Sequence, residues 1–274
     1  MIGGLPGPDS LAALLRGAPD DEDEWGFSAS FAAAVQPQLD LLYDRWWRVH
    51  AAGVEHVPAS GRALVVANHA GVLPFDAAMM ATAIRRGHHA RHPRFLVLDW
   101  AFELPWVSAG VRRFGGVPAS PHNARRLLEQ DELVTVFPEG AKGTGKDWSE
   151  RYRVGRFGRG GIVEVALRTG APVIPCAVVG SEEIYPKVAE LPLVARLLRA
   201  PYFPVTPTFP LLGPLGLVPL PSRWRLAFGE PVDLGGHGPE DAADRAVVLE
   251  LAERVRARVQ EMVYDELVQR GGAF

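Results

Sequence analysis

The sequence predicts an α/β fold: a single domain in which helices cover a mixed β-sheet, with an amphipathic helix near each end of the chain. Short apolar, β-rich runs alternate with stretches of helical periodicity, which is typical of a sheet packed against helices. The apolar runs have polar residues at their ends, as expected of strands buried on both faces. The 274 residues, 47% of them hydrophobic, are enough to build one large core.

The predicted strands are RALVVAN, RFLVL, LVTVF and APVIPCAVVG, in that order. A helix from Asp76 to Arg86 follows the first strand, and a polar loop with a helix from Gly160 to Thr169 follows the third. The last pattern indicates a long amphipathic helix, since apolar residues recur there at near-helical spacing. These residues are Val247, Leu251, Val255, Val259 and Met262.

Near the N-terminus, apolar residues spaced by three or four also predict an amphipathic helix. They are Phe31, Val35, Leu39, Leu42 and Trp46. Pro37 is expected to divide this helix into two pieces. The helix either packs against the sheet or lies at a membrane surface with Trp46 and Trp47 as anchors. The acidic stretch PDDEDEWG before it is interpreted as a solvated linker, so residues 1–26 are predicted to be a flexible or peripheral segment and residues 27–274 the domain.

Composition excludes several classes of function. The net charge of −3 argues against nucleic-acid binding, and the single Cys176 excludes a disulfide framework and a cysteine zinc cage. We expect no metal site and no bound cofactor, and Cys176 is interpreted as a core residue. The sequence shows neither a signal peptide nor an apolar run of roughly 20 residues. A cytoplasmic protein, or one on the cytoplasmic side of a membrane, is therefore expected.

A leucine- and proline-rich stretch at residues 202–220 is a second candidate for membrane contact. Its prolines would disrupt a central strand or a long helix. Such an irregular apolar segment needs to be buried in a core, in an acyl pocket or in a bilayer surface.

His69 and Asp76 stand at the two ends of the loop that follows the first predicted strand. Loops at such strand ends carry the active sites of open α/β sheets. Taken singly, His69 could be a buried histidine bonded to backbone, and Asp76 could be a helix cap. If the side chains converge, Asp76 fixes the tautomer of His69, whose other ring nitrogen can accept a hydroxyl proton.

A second polar loop, FPEGAKGTGKDW, follows the third predicted strand. It approaches the spacing of a phosphate-binding P-loop, but Asp147 stands where that motif requires Ser or Thr, which argues against nucleotide binding. Basic residues in and after the loop could still hold a phosphorylated ligand, or could simply be solvated. They are Lys142, Lys146, Arg151, Arg153, Arg156 and Arg159.

Four blocks in this order resemble the glycerolipid acyltransferases, the family that includes lysophosphatidic acid acyltransferase. The blocks are NHAGVLPFD, FGGVPAS, FPEGAKG and APVIPCAVVG, and the resemblance covers roughly Gly53 to Leu234. It implies that His69 and Asp76 are the catalytic pair. It also implies that the acceptor site contains Gly116, Glu139, Gly140 and Lys142.

This sequence departs from the commonest family pattern at two points. Six residues separate His69 from Asp76 where four are common, and Lys142 stands where arginine is frequent. The longer spacing, together with VVGSEEIYP and PLPSRWRLAFGEPV, looks more like the branch of mono- and diacylglycerol acyltransferase-like proteins.

The resemblance implies direct acyl transfer from acyl-CoA or acyl carrier protein to the hydroxyl of a lysophospholipid or related glycerolipid. His69 would act as general base and Asp76 would orient it, and peripheral contact with a membrane is expected. The alternative is a non-catalytic lipid-binding or membrane-associated scaffold of the same fold. The absence of a G-x-S-x-G motif argues against a common class of esterase.

Overall fold

The computed structural model describes residues 21–69, 75–89, 91–103, 105–140, 143, 145–197 and 203–274, and a seven-stranded sheet forms its centre. The strands of this sheet are β1 (His50–Ala52), β2 (Ala63–Ala67), β3 (Arg94–Val97), β4 (Gly116–Pro118), β5 (Leu133–Val136), β6 (Val173–Val179) and β9 (Arg225–Phe228). A separate two-stranded ribbon contains β7 (Ala189–Glu190) and β8 (Pro204–Val205).

The strand order is β1-β9-β6-β2-β5-β3-β4. Neighbouring strands from β6 through β2, β5 and β3 to β4 are parallel, whereas β9 runs antiparallel to β6. The predicted mixed sheet is therefore confirmed. All residues of β2 and β6 are buried, as expected of central strands that are covered on both faces.

Helices cover both faces of the sheet. They are α1 (Ala29–Leu41), α2 (Phe75–Gly87), α3 (Trp100–Glu103), α4 (Pro105–Arg113), α5 (Pro121–Glu129), α6 (Gly161–Thr169), α7 (Pro192–Leu197) and α8 (Arg245–Arg270). Alternate residues of β2 divide between two cores: Leu64 and Val66 pack with α5, α6 and α8, while Val65 packs with α2 and the segment after α1.

The N-terminal helix differs from its prediction in two respects. Pro37 lies inside a continuous α1, so the expected division is wrong. Packing of α1 against α2 and α4 offsets the backbone hydrogen bond that proline removes. A π-helical turn, Leu42–Trp46, then adds a residue to the turn, and the Trp47 N–H bonds to the Leu42 carbonyl five residues back.

This wider turn moves the buried face by one position. Trp47 is completely buried and stacks on Trp224 at a centroid distance of 4.8 Å, whereas Trp46 is 37% exposed. Of the two alternatives that the sequence left open, membrane anchoring by Trp47 is therefore wrong, because a regular helical period does not predict the extra residue.

The acidic stretch at residues 21–26 lies on the surface of the domain, where residues 21–24 are exposed and residues 22–24 form ion pairs with it. Asp23 and Glu132 both bind Arg94, a buried residue at the start of β3, and Glu22 pairs with Arg113 at 2.7 Å. The acidic residues are therefore solvated, as expected, but ion pairs with basic residues distant in sequence also hold them on the domain, which the sequence did not predict. Residues 1–20 lie outside the described residues, and the boundary at residue 26 stays a prediction.

An exposed apolar surface, called here the leucine surface, is formed by Leu211, Leu212, Leu215, Leu217 and Val218. Leu211 is 84% and Leu215 73% exposed. The Trp46 indole donates to the carbonyl of Pro219 at 3.0 Å, which joins this surface to the end of the N-terminal helix. In the part of the chain that the structure describes, no helix combines the length and the apolar character needed to cross a membrane.

Candidate active site

Asn68 determines how the chain leaves β2. Its side-chain amide donates to the Val178 carbonyl and accepts from the Val178 N–H, both at 2.8 Å. The side chain thus pairs with β6 as a further strand residue would, and it is buried. We did not predict this role from the sequence. Its signal there is a polar residue at the end of an apolar run.

The side chains of His69 and Asp76 converge. His69 Nδ1 lies 2.6 Å from Asp76 Oδ2, Asp76 is completely buried, and the His69 side chain is 15% exposed. The other Asp76 oxygen accepts the Ala77 N–H at 2.9 Å in the first turn of α2, so this carboxylate contacts both the histidine and the helix start. Residues 70–74 of the connecting loop lie outside the described residues.

Two residues that follow β5, Phe137 and Glu139, also hold His69 in place. Phe137 stacks on the imidazole at a centroid distance of 4.4 Å. Glu139 Oε1 accepts the backbone N–H of His69 at 3.0 Å. These contacts form because β5 lies next to β2 in the parallel sheet, which brings the carboxyl ends of both strands to the same edge. Neither contact is visible in the local sequence, because the partners are about 70 residues apart.

Glu139 belongs to a buried network. Its Oε2 accepts the Gly155 N–H at 2.6 Å and pairs with Lys146 Nζ at 2.7 Å. Glu182 lies 3.6 Å from the same ammonium. Burial raises the pKa of Glu182 to about 7, and the charge of Glu139 adds to this effect while Lys146 opposes it. The network connects the histidine loop to the loop at residues 146–155.

The remaining predicted acceptor residues have different surroundings. Gly116 begins β4, and a Cβ there would come within 2.4 Å of Val111 Cγ1, so the strand and α4 can pack closely only with glycine. Gly140 has a φ of 58° in the turn after β5, a conformation that favours glycine. Lys142 lies outside the described residues. Roles for Gly116, Glu139, Gly140 and Lys142 in acceptor binding stay predictions.

The described residues contain no group of three or more His, Cys, Asp or Glu side chains placed to hold a metal ion. The chemistry that the arrangement offers is acid–base chemistry. A carboxylate on Nδ1 favours the tautomer with its proton on Nδ1 and a lone pair on Nε2, and that lone pair can accept a proton from a hydroxyl.

Comparison with known proteins identifies the family. The family model described as Acyltransferase matches residues 48–179, which include the end of β2, His69, Asp76 and Glu139. An uncharacterized protein of Mycobacterium tuberculosis is 50% identical over 254 residues, covering 92% of this chain and 71% of that protein. The chain belongs to the acyltransferase family. The resemblance inferred from the four sequence blocks is thereby confirmed.

More distant relatives of this acyltransferase include phytyl ester synthase 2 from the chloroplast of Arabidopsis thaliana. That protein is 26% identical over 243 residues, which cover 77% of this chain and 33% of the synthase. Among solved structures, the 1-acyl-sn-glycerophosphate acyltransferase PlsC from Thermotoga maritima superimposes with a TM-score of 0.59 at 20% identity, covering 96% of this chain and 89% of PlsC. This likeness confirms the predicted fold class.

Proposed function

We propose that this acyltransferase moves a fatty acyl chain from an acyl thioester to a hydroxyl of a lysophospholipid or related glycerolipid. The observation that carries the proposal is the 2.6 Å contact between His69 and Asp76 at the carboxyl end of β2, inside the region that matches the family. The names of PlsC and phytyl ester synthase, which denote enzymes that form lipid esters, support a lipid acceptor.

In the proposed mechanism, His69 Nε2 removes the proton of the acceptor hydroxyl as its oxygen attacks the thioester carbonyl. The Asp76 carboxylate orients the imidazole and stabilises the imidazolium that forms. The tetrahedral intermediate then collapses, the carbon–sulfur bond breaks, and the imidazolium returns its proton to the leaving thiolate. The products are the ester and the free thiol, and no acyl-enzyme is formed.

The contacts around His69 support a base held in one orientation. Asp76 holds one edge of the ring, Phe137 covers one face, and Glu139 fixes the backbone N–H. A preorganised base loses little freedom when substrate binds, which increases the rate advantage of a positioned group. The side chain keeps some exposure, so the imidazole is accessible to a ligand.

We also propose that the enzyme reaches its acceptor by lying on a bilayer through the leucine surface. The stretch from Leu211 to Val218 has no charged residue, and five of its large apolar side chains are exposed. Contiguous exposed apolar residues on a folded protein mark interaction sites, and leucines can insert among lipid chains. Trp46, at the edge of this surface, adds an amphipathic ring.

The test of the proposed function is product analysis by mass spectrometry after incubation with acyl thioesters and a panel of lyso-lipid acceptors. We expect ester products from the wild type, and a loss of about 10²- to 10⁴-fold in kcat/KM for His69→Ala. Asp76→Asn keeps the shape of the side chain and should also reduce turnover strongly. His122→Ala, at an exposed histidine outside the site, is the matched control and should retain full activity.

Two outcomes contradict this function. Wild-type turnover in folded His69→Ala would exclude the histidine as base. Vesicle binding without any ester product across the whole panel would support the non-catalytic lipid-binding scaffold instead.

A further inference from the structure

A cleft of about 800 Å³ opens beside the candidate active site. Its charged lining consists of four cationic side chains, Lys146, Arg153, Arg156 and Arg159, and two carboxylates, Glu139 and Glu150. Glu139 and Lys146 already neutralise each other at 2.7 Å. The cleft therefore presents an excess of positive charge, and the three arginines, called here the arginine cleft residues, supply it.

The arginine cleft residues form no close ion pair with a carboxylate among the described residues, although Arg156 is near enough to Glu253 to help lower the pKa of that carboxyl. Arg153, Arg156 and Arg159 are all exposed, and none lies within ion-pair distance of an Asp or Glu in the part of the chain that the structure describes. Glu253, on α8, is bound by Arg256 instead. Three guanidinium groups within seven residues that lack a close ion pair repel one another, so an anionic ligand would relieve a local excess of charge.

The backbone that carries these arginines is fixed before any ligand arrives. The Gln260 side chain donates to the Tyr152 carbonyl at 2.9 Å and accepts the Val154 N–H at 2.8 Å. Arg256 donates to the Val154 carbonyl at 3.2 Å, and the Gly155 N–H is held by Glu139. Such preorganisation lowers the entropic cost of binding, which distinguishes this segment from a freely moving basic loop.

Glu139 borders both the cleft and His69. One oxygen of Glu139 binds the His69 N–H and the other binds the Gly155 N–H, so a single side chain spans from the proposed base to the arginine-bearing segment. A ligand whose anionic part occupies the cleft can therefore extend a flexible arm toward His69. A coenzyme A thioester has this layout, with its phosphates at one end and the reactive carbonyl at the end of a long arm.

We propose that the arginine cleft binds the phosphate groups of a coenzyme A thioester and so makes coenzyme A the acyl carrier that this enzyme uses. The inference rests on the proposed function and specifies its donor. Coenzyme A carries a diphosphate and a 3′-phosphate, which suit three separate guanidinium groups. An acyl carrier protein brings one phosphodiester on an acidic surface, which would meet Glu150 in the cleft and Glu253 close to Arg156.

The test compares two donors with the same acyl group: acyl-CoA, and acyl-pantetheine, which has the thioester and no phosphate. The triple variant Arg153→Gln, Arg156→Gln, Arg159→Gln should lower kcat/KM for acyl-CoA by about 10²-fold and leave acyl-pantetheine within about twofold. The control is Arg125→Gln, Arg168→Gln, Arg245→Gln, which removes the same charge from exposed arginines that do not line the cleft and should leave both donors unaffected.

Three results would overturn the proposal. An equal loss with both donors would make the arginines structural. A loss that follows the phosphate of the acceptor, whichever donor is used, would assign the cleft to a lipid headgroup. A loss seen only with an acyl carrier protein donor would assign it to that carrier.

Calorimetry with free coenzyme A separates this proposal from the proposed function. The wild type and His69→Ala should bind coenzyme A equally, and the arginine triple variant should bind it about 10²-fold more weakly. Arginine-dependent binding without ester formation would reject the acyl transfer and retain the cleft. Ester formation with binding unchanged in the triple variant would do the opposite.

Discussion

Two groups of charged residues border the candidate site, and they differ in how their charges are satisfied. In the buried group, Lys146 lies within ion-pair distance of Glu139 and Glu182, and both carboxylates also accept backbone N–H groups of neighbouring loops. In the exposed group, the arginine cleft residues lie only a few positions further along the chain and form no close ion pair with a described carboxylate.

The difference separates charges that hold the architecture from charges that are available to a ligand. A buried ion that loses its partner keeps its desolvation cost, so changes in the first group should act on folding and on every substrate. A solvated arginine has little folding free energy to lose, so changes in the second group should act only on ligands with phosphate. The following three predictions test this distinction.

The largest effect on stability is expected for Glu139→Gln. Glutamine keeps the size of the side chain but removes the negative charge that faces Lys146. Its amide oxygen is also a weaker acceptor for the two backbone N–H groups that Glu139 binds, those of His69 and Gly155. We expect the free energy of unfolding to fall by about 3 kcal/mol or more, measured by denaturant titration. Turnover should fall with both acyl-CoA and acyl-pantetheine.

Glu150→Gln is the matched control, because Glu150 is an exposed carboxylate that lines the same cleft. It should change the free energy of unfolding by less than about 0.5 kcal/mol. A Glu139→Gln protein as stable as the wild type would remove the proposed distinction between the two groups.

A smaller effect concerns pH. The pKa of Glu182 is raised from its ordinary 4.5 to about 7, so the carboxyl of Glu182 binds its proton more tightly in the folded chain than in the unfolded chain. The stability that it contributes is fully present below about pH 4.5 and is lost as the pH rises through about 7. Glu182→Gln carries no titrating group there. The wild type should therefore lose about 1 to 3 kcal/mol relative to the variant between pH 4.5 and 8.

Urea unfolding at intervals across this range measures that difference, and Glu150→Gln again serves as the exposed control. Curves for the wild type and Glu182→Gln that stay parallel from pH 4.5 to 8 would contradict the assigned shift.

The smallest effect is expected at the leucine surface, where charge is absent. Leu211→Ser with Leu215→Ser should weaken sedimentation with neutral vesicles about tenfold, because only part of each side chain enters the bilayer. Raised salt should leave vesicle binding intact while it weakens coenzyme A binding by the arginine cleft. Leu249→Ser, at a partly exposed leucine of α8, is the control and should bind like the wild type. Vesicle binding that raised salt abolishes would point to charge instead.

Much of the fold and the proposed catalytic pair could be predicted because their signals are local. Apolar runs mark β2 and β6, and polar residues at a strand end mark His69. The 2.6 Å contact with Asp76 is one that a loop of this length permits. The role of Glu139 in holding His69 could not be predicted, because it depends on two strands becoming neighbours in the sheet.

The sequence pattern placed Trp46 on the apolar face of the helix, whereas the structure buries Trp47, and this difference has another cause. The extra residue of the π-helical turn changes which side of the chain faces the sheet, and no composition rule signals such a turn. The docking of residues 21–26 depended on Arg94 and Arg113, which belong to the strand and helix that receive them. In both places the outcome depends on contacts between segments that are distant in sequence, namely ring stacking of Trp47 on Trp224 and the ion pairs of residues 21–26.

The accessibility of the Cys176 thiol reports how often the centre of the sheet opens. It is the single cysteine of the chain, it is completely buried in β6 opposite Ala67 and Phe228, and burial raises the pKa of its thiol above the ordinary range. A thiol reagent can reach the sulfur only when the centre of the sheet separates. The alkylation rate therefore counts these openings without background from another thiol, and a ligand that binds only the closed molecule slows it in proportion to its occupancy.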